Sequence, residues 1–209
     1  MSGLFITFEG GEGTGKSTQI TLLGDFLKSK GREYILTREP GGTPAGESLR
    51  ELLVTGDTTR WSAEAEAMLN NDARDSHVRS LIRPSLAAGK IVVCDRFMDS
   101  TRAYQGCAGG CSIKLIDALE LAAVGTTRPN LTLMFDLDPA IGLARAKLRG
   151  AGGEDRYERK GLIFHQKLRL GFLAIANAEP RRCVIVNANQ TVDQVFAEVR
   201  QIVEARLNG

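Results

Sequence analysis

The chain has 209 residues, a length that favours one domain over residues 1–209 with a buried core. Its 27 basic and 25 acidic residues nearly balance, so the charge gives no basis for binding bulk nucleic acid. No apolar run is long enough to cross a membrane, which leaves small molecules and proteins as the expected partners.

The cysteines indicate a reducing location. Cys94, Cys107, Cys111 and Cys183 are too few and too scattered for a disulfide scaffold. The chain also opens directly on a predicted strand, without a signal peptide, so we expect it in the cytoplasm. Cys107 and Cys111 leave a zinc site as an alternative, although the chain has only two histidines and the adjoining AGG is typical of a turn.

The first elements are predicted to be a strand, a glycine-rich loop and a helix. Residues 4–8 (LFITF) favour a strand, and residues 17–30 have the apolar spacing of a helix. Between them, residues 10–17 (GGEGTGKS) fit the phosphate-binding pattern G-x-x-x-x-G-K-[ST]. The glycines let backbone N–H groups turn toward phosphate oxygens, Lys16 adds a full positive charge, and Ser17 is the expected Mg²⁺ ligand. The stretch predicts a nucleoside triphosphate site.

The next elements are a short strand over residues 32–37 and a turn leading into a helix over residues 38–53 (REPGGTPAGESLRELL). A charged turn beyond the C-terminal end of a strand is where open α/β sheets place ligand contacts; a solvated connection is the alternative. Residues 62–88 are predicted to be helical, with Ser62 as the N-cap. The polar middle of this helix contains Arg74, either as a ligand contact or as a solvated side chain.

Residues 90–97 (KIVVCDRF) are the second decisive stretch, because a buried-type parallel strand ends there in Asp95 and Arg96. In a chain with a phosphate-binding loop, an acid at this place is positioned to hold Mg²⁺, as a Walker-B acid does. A salt-bridged pair at a strand end is the alternative. The continuation to residue 110 contains side chains that can hydrogen-bond a flat polar group, namely Ser100, Thr101, Tyr104 and Gln105.

The rest of the chain continues the alternation of helices and strands. The predicted elements are a helix over 112–125, a strand over 130–137, a helix from Asp138 to Gly150, a helix to about 178, a strand over 183–187 and a final helix. Glycines and arginines in residues 150–161 predict a mobile lid that brings positive charge over a phosphate chain, with an exposed charged loop as the alternative.

Five strands that alternate with helices predict an α/β fold. We expect a P-loop NTPase-type five-stranded parallel sheet with helices on both faces and a short lid at about residues 149–161. A phosphate-binding loop alone indicates only that a nucleoside triphosphate binds. Arginines at a strand end and in a lid go further, because transfer between two bound molecules requires positive charge on both phosphates and exclusion of water. This combination predicts a nucleotide kinase.

Several motifs in order resemble the bacterial thymidylate kinase family over essentially the whole chain. They are FEGGEGTGKSTQ, TREPGGTPAGESLRELL, DARDSHV, CDRF followed by STRAYQG, and DRYE. The resemblance implies transfer of the γ-phosphate of ATP to dTMP, giving dTDP, with Mg²⁺ as cofactor. It also implies a homodimer with an adenylate-kinase-like core.

The resemblance assigns roles to individual residues. The implied catalytic residues are Lys16, Arg96, Arg156 and Glu12. The implied ATP-binding residues are Gly10, Gly11, Glu12, Gly13, Thr14, Gly15, Lys16, Ser17, Thr18 and Arg149. The implied dTMP-binding residues are Glu12, Glu39, Pro40, Arg50, Arg74, Arg96, Ser100, Thr101, Tyr104 and Gln105. The implied Mg²⁺ ligands are Ser17 and Asp95.

Within this set, the resemblance implies that Arg96 and Arg50 hold the acceptor phosphate, whereas Arg74, Thr101 and Gln105 read the thymine edge. Glu12 corresponds to an acid near the sugar 3′-OH, and Tyr104 to a residue beside the sugar. Arg156, with Arg149 nearby, corresponds to the lid charge.

Two positions depart from the family pattern. Asn70 stands where the family commonly has a phenylalanine that stacks on thymine, so we expect weaker dTMP binding unless Phe97 or another ring substitutes. Gly13 stands where some members carry an arginine, so we expect Arg156 to supply that charge. Asn70 leaves a P-loop kinase for another nucleoside monophosphate or small acceptor as an alternative. A nucleotide-dependent switch or regulatory ATPase is a further alternative, although the chain lacks an N-K-x-D segment for guanine.

Overall fold

A computed structural model of the protein describes residues 3–150 and 154–208. Its five strands form one sheet in which every neighbouring pair is parallel, in the order β2-β3-β1-β4-β5. The strands are β1 (Phe5–Gly10), β2 (Tyr34–Arg38), β3 (Ile91–Asp95), β4 (Leu131–Asp136) and β5 (Cys183–Asn187). The predicted five-stranded parallel sheet is therefore confirmed.

Helices cover both faces of the sheet. They are α1 (Lys16–Ser29), α2 (Pro44–Val54), α3 (Ala63–His77), α4 (Arg83–Ala87), α5 (Met98–Thr101), α6 (Ile113–Ala123), α7 (Pro139–Arg149), α8 (Leu162–Ala178) and α9 (Val192–Asn208). π-helical segments at Val78–Ile82 and Arg102–Ala108 join α3 to α4 and extend α5. In the described ranges 3–150 and 154–208, no helix has the length and apolarity needed to cross a bilayer.

Alternating side chains of the strands supply two cores. Ile6 and Phe8 point to one face, where they pack with Leu23 of α1 and Val199 of α9. Phe5 points to the other face and packs beside the segment that follows α3. Burial on both faces explains why the three central strands, β1, β3 and β4, are mostly apolar.

Two predicted helix starts are confirmed by their caps. The Ser62 side chain accepts a hydrogen bond from the Ala65 N–H, and the Asp138 side chain accepts one from Ala140. Residues 98–108, for which the sequence predicts no helix or strand, are helical in the structure. This helical segment packs against α8. Gly171 of α8 permits the close approach, because a Cβ at Gly171 would lie within 3.0 Å of the Cys107 side chain.

The strand register brings the motifs to one edge of the sheet. Phe8 of β1 lies beside Asp95 of β3, and Arg38 of β2 lies on the other side of Asp95. The segments that follow these three strands therefore emerge together at their carboxyl ends. This is the edge where open parallel sheets bind their ligands.

Candidate active site

The phosphate-binding loop has the local structure that its sequence predicts. β1 ends at Gly10 and α1 begins at Lys16, with the intervening backbone turned by positive φ values of 133° at Gly10, 66° at Gly13 and 87° at Gly15. Among the residues that the structure describes, no side chain caps the start of α1. Ser17 and Thr18 are exposed in its first turn, so the helix N-terminus faces solvent and can receive an anion.

Gly13 packs against α7. A Cβ at Gly13 would collide with the carbonyl oxygen of Gly142, and a Cβ at Gly142 would collide with the carbonyl oxygen of Glu12. A side chain at position 13 would therefore require α7 to move. Gly142 is a residue that sequence reasoning missed, since its role depends on a contact between distant segments.

Lys16 lies over the inner side of the loop. Its ammonium group donates to the carbonyl oxygens of Gly10 and Gly11, at 3.1 and 2.9 Å, and to the Thr14 hydroxyl at 3.3 Å. Burial and the neighbouring Arg96 lower the pKa of Lys16 to about 8, although Asp95 and nearby glutamates oppose this. All three hydrogen-bond partners of Lys16 are neutral, so an anionic phosphate is a stronger partner than any of them.

Ser17 and Asp95 form a pair that fits a divalent cation. The Ser17 hydroxyl donates to Asp95 Oδ2 at 3.4 Å, and Asp95 Oδ1 is buried without a hydrogen-bond partner in the described residues. A buried carboxylate oxygen without a partner suits a hard cation such as Mg²⁺. Elsewhere in ranges 3–150 and 154–208, no group of three His, Cys, Asp or Glu residues could hold a metal, including the surroundings of Cys107 and Cys111.

Glu12 and Arg96 join the loop to a second pocket. Arg96 donates to Glu12 Oε1 at 3.0 Å and to the carbonyl oxygen of Gly10 at 2.9 Å, and the Tyr104 hydroxyl donates to the same Glu12 oxygen at 2.5 Å. Burial alone would raise the pKa of Glu12, but Arg96 and Lys16 outweigh it and lower this pKa to about 2. The Glu12 carboxylate is therefore ionised at any working pH.

The backbone of Arg96 is constrained. Its φ of 66° lies in the left-handed region, which residues other than glycine rarely adopt. The Arg96 N–H donates to the carbonyl oxygen of Phe8, and the guanidinium packs over the Tyr104 ring. Because strain of this kind clusters where a side chain must point in one direction, the conformation is consistent with a functional role for Arg96.

Glu9 supports the turn that carries Arg96, and sequence reasoning missed it. Its carboxylate accepts hydrogen bonds from the Phe97 N–H at 2.8 Å, from the Ser100 N–H at 3.2 Å and from the Ser100 hydroxyl at 2.6 Å. Burial and the nearby Asp99 raise the pKa of Glu9 to about 7. A charged residue inside an otherwise apolar strand was the available signal, because a buried acid needs dedicated partners.

One pocket contains every residue that the resemblance implied for acceptor binding. The predicted residues that line it are Glu12, Glu39, Pro40, Arg50, Arg74, Arg96, Ser100, Thr101, Tyr104 and Gln105. Residues not predicted as binders also line it, namely Val54, Asn70, Phe97, Glu154, Tyr157 and Glu158. The pocket begins at Glu12 and Arg96, beside the phosphate-binding loop.

Arg74 is held rigidly in the lining of this pocket. Its guanidinium donates to Glu39 Oε2 at 2.7 Å, to Asn71, to the Thr101 hydroxyl and to the carbonyl oxygen of Phe97. Four hydrogen bonds leave one of the five N–H groups of an arginine for another acceptor. A buried histidine, His77, holds the second Glu39 oxygen at 2.9 Å and was not recognised in the sequence.

Arg50 contacts the segment that was predicted to be a lid. Its guanidinium makes a two-pronged contact with the Glu154 carboxylate, at 3.2 and 2.7 Å, and also donates to the carbonyl oxygen of Pro40. The Arg50 guanidinium lowers the pKa of Glu154. The Glu154 carboxylate thus accepts hydrogen bonds from Arg50, the arginine that was predicted to hold the acceptor phosphate. A phosphate bound to Arg50 would compete with Glu154.

Arg156 does not lie with the phosphate-binding loop. Its side chain is fully buried, and it donates to the carbonyl oxygens of Leu53, Asp57 and Thr58 and to Glu66 Oε1 at 2.6 Å. These acceptors hold the guanidinium in this conformation, and the contact of Arg156 with phosphate stays a prediction. The Arg149 side chain and residues 151–153, which belong to the predicted lid, lie outside the described part of the chain.

The phosphate-binding loop and the arginine-lined pocket meet at Glu12 and Arg96, an arrangement that defines the class of P-loop kinases with a small phosphorylated acceptor. A family model described as thymidylate kinase matches residues 8–199. A thymidylate kinase of Caulobacter vibrioides is 53% identical over 205 residues, covering 98% of each chain. One of Ruegeria pomeroyi is 47% identical over 207 residues, covering 99% of this chain and 97% of that protein.

The solved structures agree with the sequence comparison. The crystal structure of a thymidylate kinase from Ehrlichia chaffeensis matches with a TM-score of 0.78 at 34% identity, covering 98% of this chain and 99% of that one. The chain belongs to the thymidylate kinase family.

Proposed function

We propose that this chain transfers the γ-phosphoryl group of ATP to dTMP, giving ADP and dTDP. The observation that carries the proposal is the junction at Glu12 and Arg96, where the phosphate-binding loop adjoins a pocket lined by all the residues expected to bind the acceptor. Family membership over nearly the full length supports the same reaction.

At the junction, the reaction needs charge and alignment. An oxygen of the acceptor phosphate attacks the γ-phosphorus while the bond between this phosphorus and the bridging oxygen of ADP breaks. Because the attacking oxygen is already ionised, no general base has to remove a proton from it. Lys16 and the amides at the start of α1 hold the donor phosphates. Arg96, which reaches Gly10 and Glu12, neutralises charge between donor and acceptor.

Ser17 and Asp95 would hold Mg²⁺, which neutralises charge on the donor phosphates when bound. The buried Asp95 oxygen without a partner supports this assignment. We assign donor binding to Gly10, Gly11, Glu12, Gly13, Thr14, Gly15 and Thr18 as well.

Glu12 positions its neighbours. Its ionised carboxylate accepts from both Arg96 and the Tyr104 hydroxyl, so it fixes the guanidinium and the phenol relative to the loop. We propose that Glu12 lies near the sugar 3′-OH and that Tyr104 lies against the sugar. In that place the Tyr104 ring would disfavour a ribose 2′-OH.

The opposite end of the pocket would recognise the base. Arg74, Thr101 and Gln105 line it, and the contacts of Arg74 with Glu39 and Thr101 hold the guanidinium in one orientation. Nearer the loop, Arg50 and Arg96 would hold the acceptor phosphate beside Pro40 and Ser100. The role of Arg156 and Arg149 as sources of positive charge in the lid stays a prediction. To contact a phosphate, Arg156 would have to leave its present partners.

We also propose that the chain works as one domain, as a homodimer, in the cytoplasm. Four free cysteines support a reducing location. Exposed Met68 on α3 and Leu121 on α6 support an interface on these helices, which pack against each other. Light scattering of the purified protein tests the dimer, and a mass of one chain would contradict it.

The test of the reaction is an ADP-release assay with ATP, Mg²⁺ and a panel of monophosphates. We expect strong preference for dTMP over dUMP and dCMP. A preference for another monophosphate would mean that this monophosphate, and not dTMP, is the substrate. ADP release that depends on no monophosphate would instead favour the nucleotide-dependent switch.

A further inference from the structure

Glu66 is a buried acid that connects the described part of the predicted lid to the acceptor pocket. It lies in the first turn of α3 and is only 1% exposed. Its Oε1 accepts from Arg156 at 2.6 Å and from Lys160 at 2.9 Å. Its Oε2 accepts from Gln105 Nε2 at 2.8 Å and from the Tyr157 hydroxyl at 3.2 Å.

These contacts determine which way the Gln105 amide faces. An ionised carboxylate only accepts hydrogen bonds, so the Gln105 group that faces Glu66 is the NH₂ group. The amide oxygen therefore points away from Glu66. Gln105 lines the acceptor pocket, and its oxygen accepts no hydrogen bond among those of the described residues.

We propose that Glu66 is a positioning residue for recognition of the acceptor base: it holds Gln105 so that the amide oxygen faces the pocket. This inference rests on the proposed function. A hydrogen-bond acceptor at this place suits the N3–H of thymine, which donates a hydrogen bond. N3 of cytosine accepts hydrogen bonds, so it would face the Gln105 oxygen without forming one. Glu66 thereby contributes to discrimination against dCMP without touching the substrate.

Tyr157 extends the same arrangement to position 70. Its hydroxyl is held by Glu66, and its ring lines the pocket together with Asn70 and packs edge-on against Tyr104 at 5.3 Å. Burial and the Glu66 charge raise the pKa of the Tyr157 hydroxyl, whereas Arg156 and the Asn70 side chain lower it. Glu66 thus positions a ring beside the residue that replaces the usual phenylalanine.

The isosteric variant Glu66→Gln tests the proposal. Arg156 and Lys160 only donate, so they hold the oxygen of the new amide, and its NH₂ group faces Gln105. Gln105 must then turn over and present its own NH₂ group to the pocket. We expect the preference for dTMP over dCMP, measured as a ratio of kcat/KM, to fall by about tenfold, the size of one hydrogen bond, with KM for ATP unchanged.

Glu64→Gln is the matched control, because Glu64 lies in the same first turn but is exposed. It should keep the wild-type preference. A folded Glu66→Gln variant with the wild-type dTMP preference would overturn the proposal, and thermal unfolding establishes whether the variant is folded. If wild-type protein does not phosphorylate dTMP, the proposed function itself fails, which separates that outcome from this one.

Gln105→Leu provides a second test that does not depend on the stability of Glu66→Gln. Gln105→Leu removes the amide and should by itself reduce the preference for dTMP; an unchanged preference would overturn the proposal. In the Gln105→Leu background, Glu66→Gln should cause no further loss of preference, because no amide remains to turn over. An undiminished effect of Glu66→Gln in that background would also overturn it.

Discussion

The phosphate-binding loop and the segment at residues 154–160 both carry cations beside the active site, but they hold them differently. Lys16 of the loop is bonded to two carbonyl oxygens and a hydroxyl, all of them neutral. Arg156 of the segment is bonded to three carbonyl oxygens and to the Glu66 carboxylate. An arriving phosphate can replace the neutral partners of Lys16 with a gain, whereas it must compete with a carboxylate for Arg156. The charge of an arginine in the predicted lid therefore does not by itself establish that this arginine binds phosphate.

The largest effect that we expect comes from the loop. Lys16→Met removes the charge that faces the donor phosphates, so kcat should fall by about 10²–10³-fold, as for other transition-state donors. Lys28→Met, at an exposed position later in α1, is the control and should retain activity. A loss of less than about tenfold in Lys16→Met would contradict the role of Lys16 as the cation that holds the donor phosphates.

Arg156→Ala tests whether Arg156 stabilises the fold through Glu66. It leaves Glu66 with Lys160 as its cation and empties a buried site, so the free energy of unfolding should fall by about 3–5 kcal/mol. Urea unfolding measures this loss, with Arg159→Ala, at an exposed position in the same segment, as the control. If Arg156 instead supplies lid charge, transfer slows far more than ATP binding weakens, while stability stays near that of the wild type.

A pH profile sharpens the description of Lys16. Its pKa is lowered from about 10.5 to about 8, first by burial and then by Arg96, and only the protonated amine holds phosphate. Because kcat/KM for ATP reports groups of the free enzyme, it should fall as the pH rises through about 8. A profile that stays flat to pH 9.5 would contradict the lowered pKa.

The smallest expected effect concerns Asn70. Asn70→Phe restores a ring that can stack on the base, so dTMP affinity should rise by about 1 kcal/mol, or about fivefold. Titration calorimetry with dTMP measures this change, and ATP affinity serves as the internal control. An unchanged dTMP affinity would indicate that Tyr157 or Phe97 already contributes the aromatic contact.

The sequence predicts the loop and the sheet well because their determinants are local. Glycine spacing specifies the turn at residues 10–17, apolar runs specify the strands, and Ser62 and Asp138 start helices through contacts only two or three residues away. The acceptor pocket was predicted through resemblance to a family. No pattern within the chain alone brings Arg50 and Gln105 to the same pocket.

The unpredicted parts depend on side chains that meet across long separations. Glu66 meets Arg156 across 90 positions, and Glu9 meets Ser100 across 91. His77 and Gly142 likewise act through contacts with remote turns. An acid in an apolar segment indicates that a buried partner exists, but the sequence does not indicate which cation it is. For this reason the sequence did not indicate that Glu66 holds the Arg156 guanidinium, and the contact of Arg156 with phosphate stays a prediction.

In the proposed reaction the donor and acceptor phosphates meet at Arg96, and Arg96→Ala removes the guanidinium between them. Single-turnover transfer of labelled γ-phosphate from saturating ATP to dTMP should slow by about 10²–10³-fold, while ATP affinity changes little. Arg79→Ala, at an exposed position on the π-helical segment after α3, should transfer at the wild-type rate. A folded Arg96→Ala variant that transfers phosphate as fast as the wild type would contradict the claim.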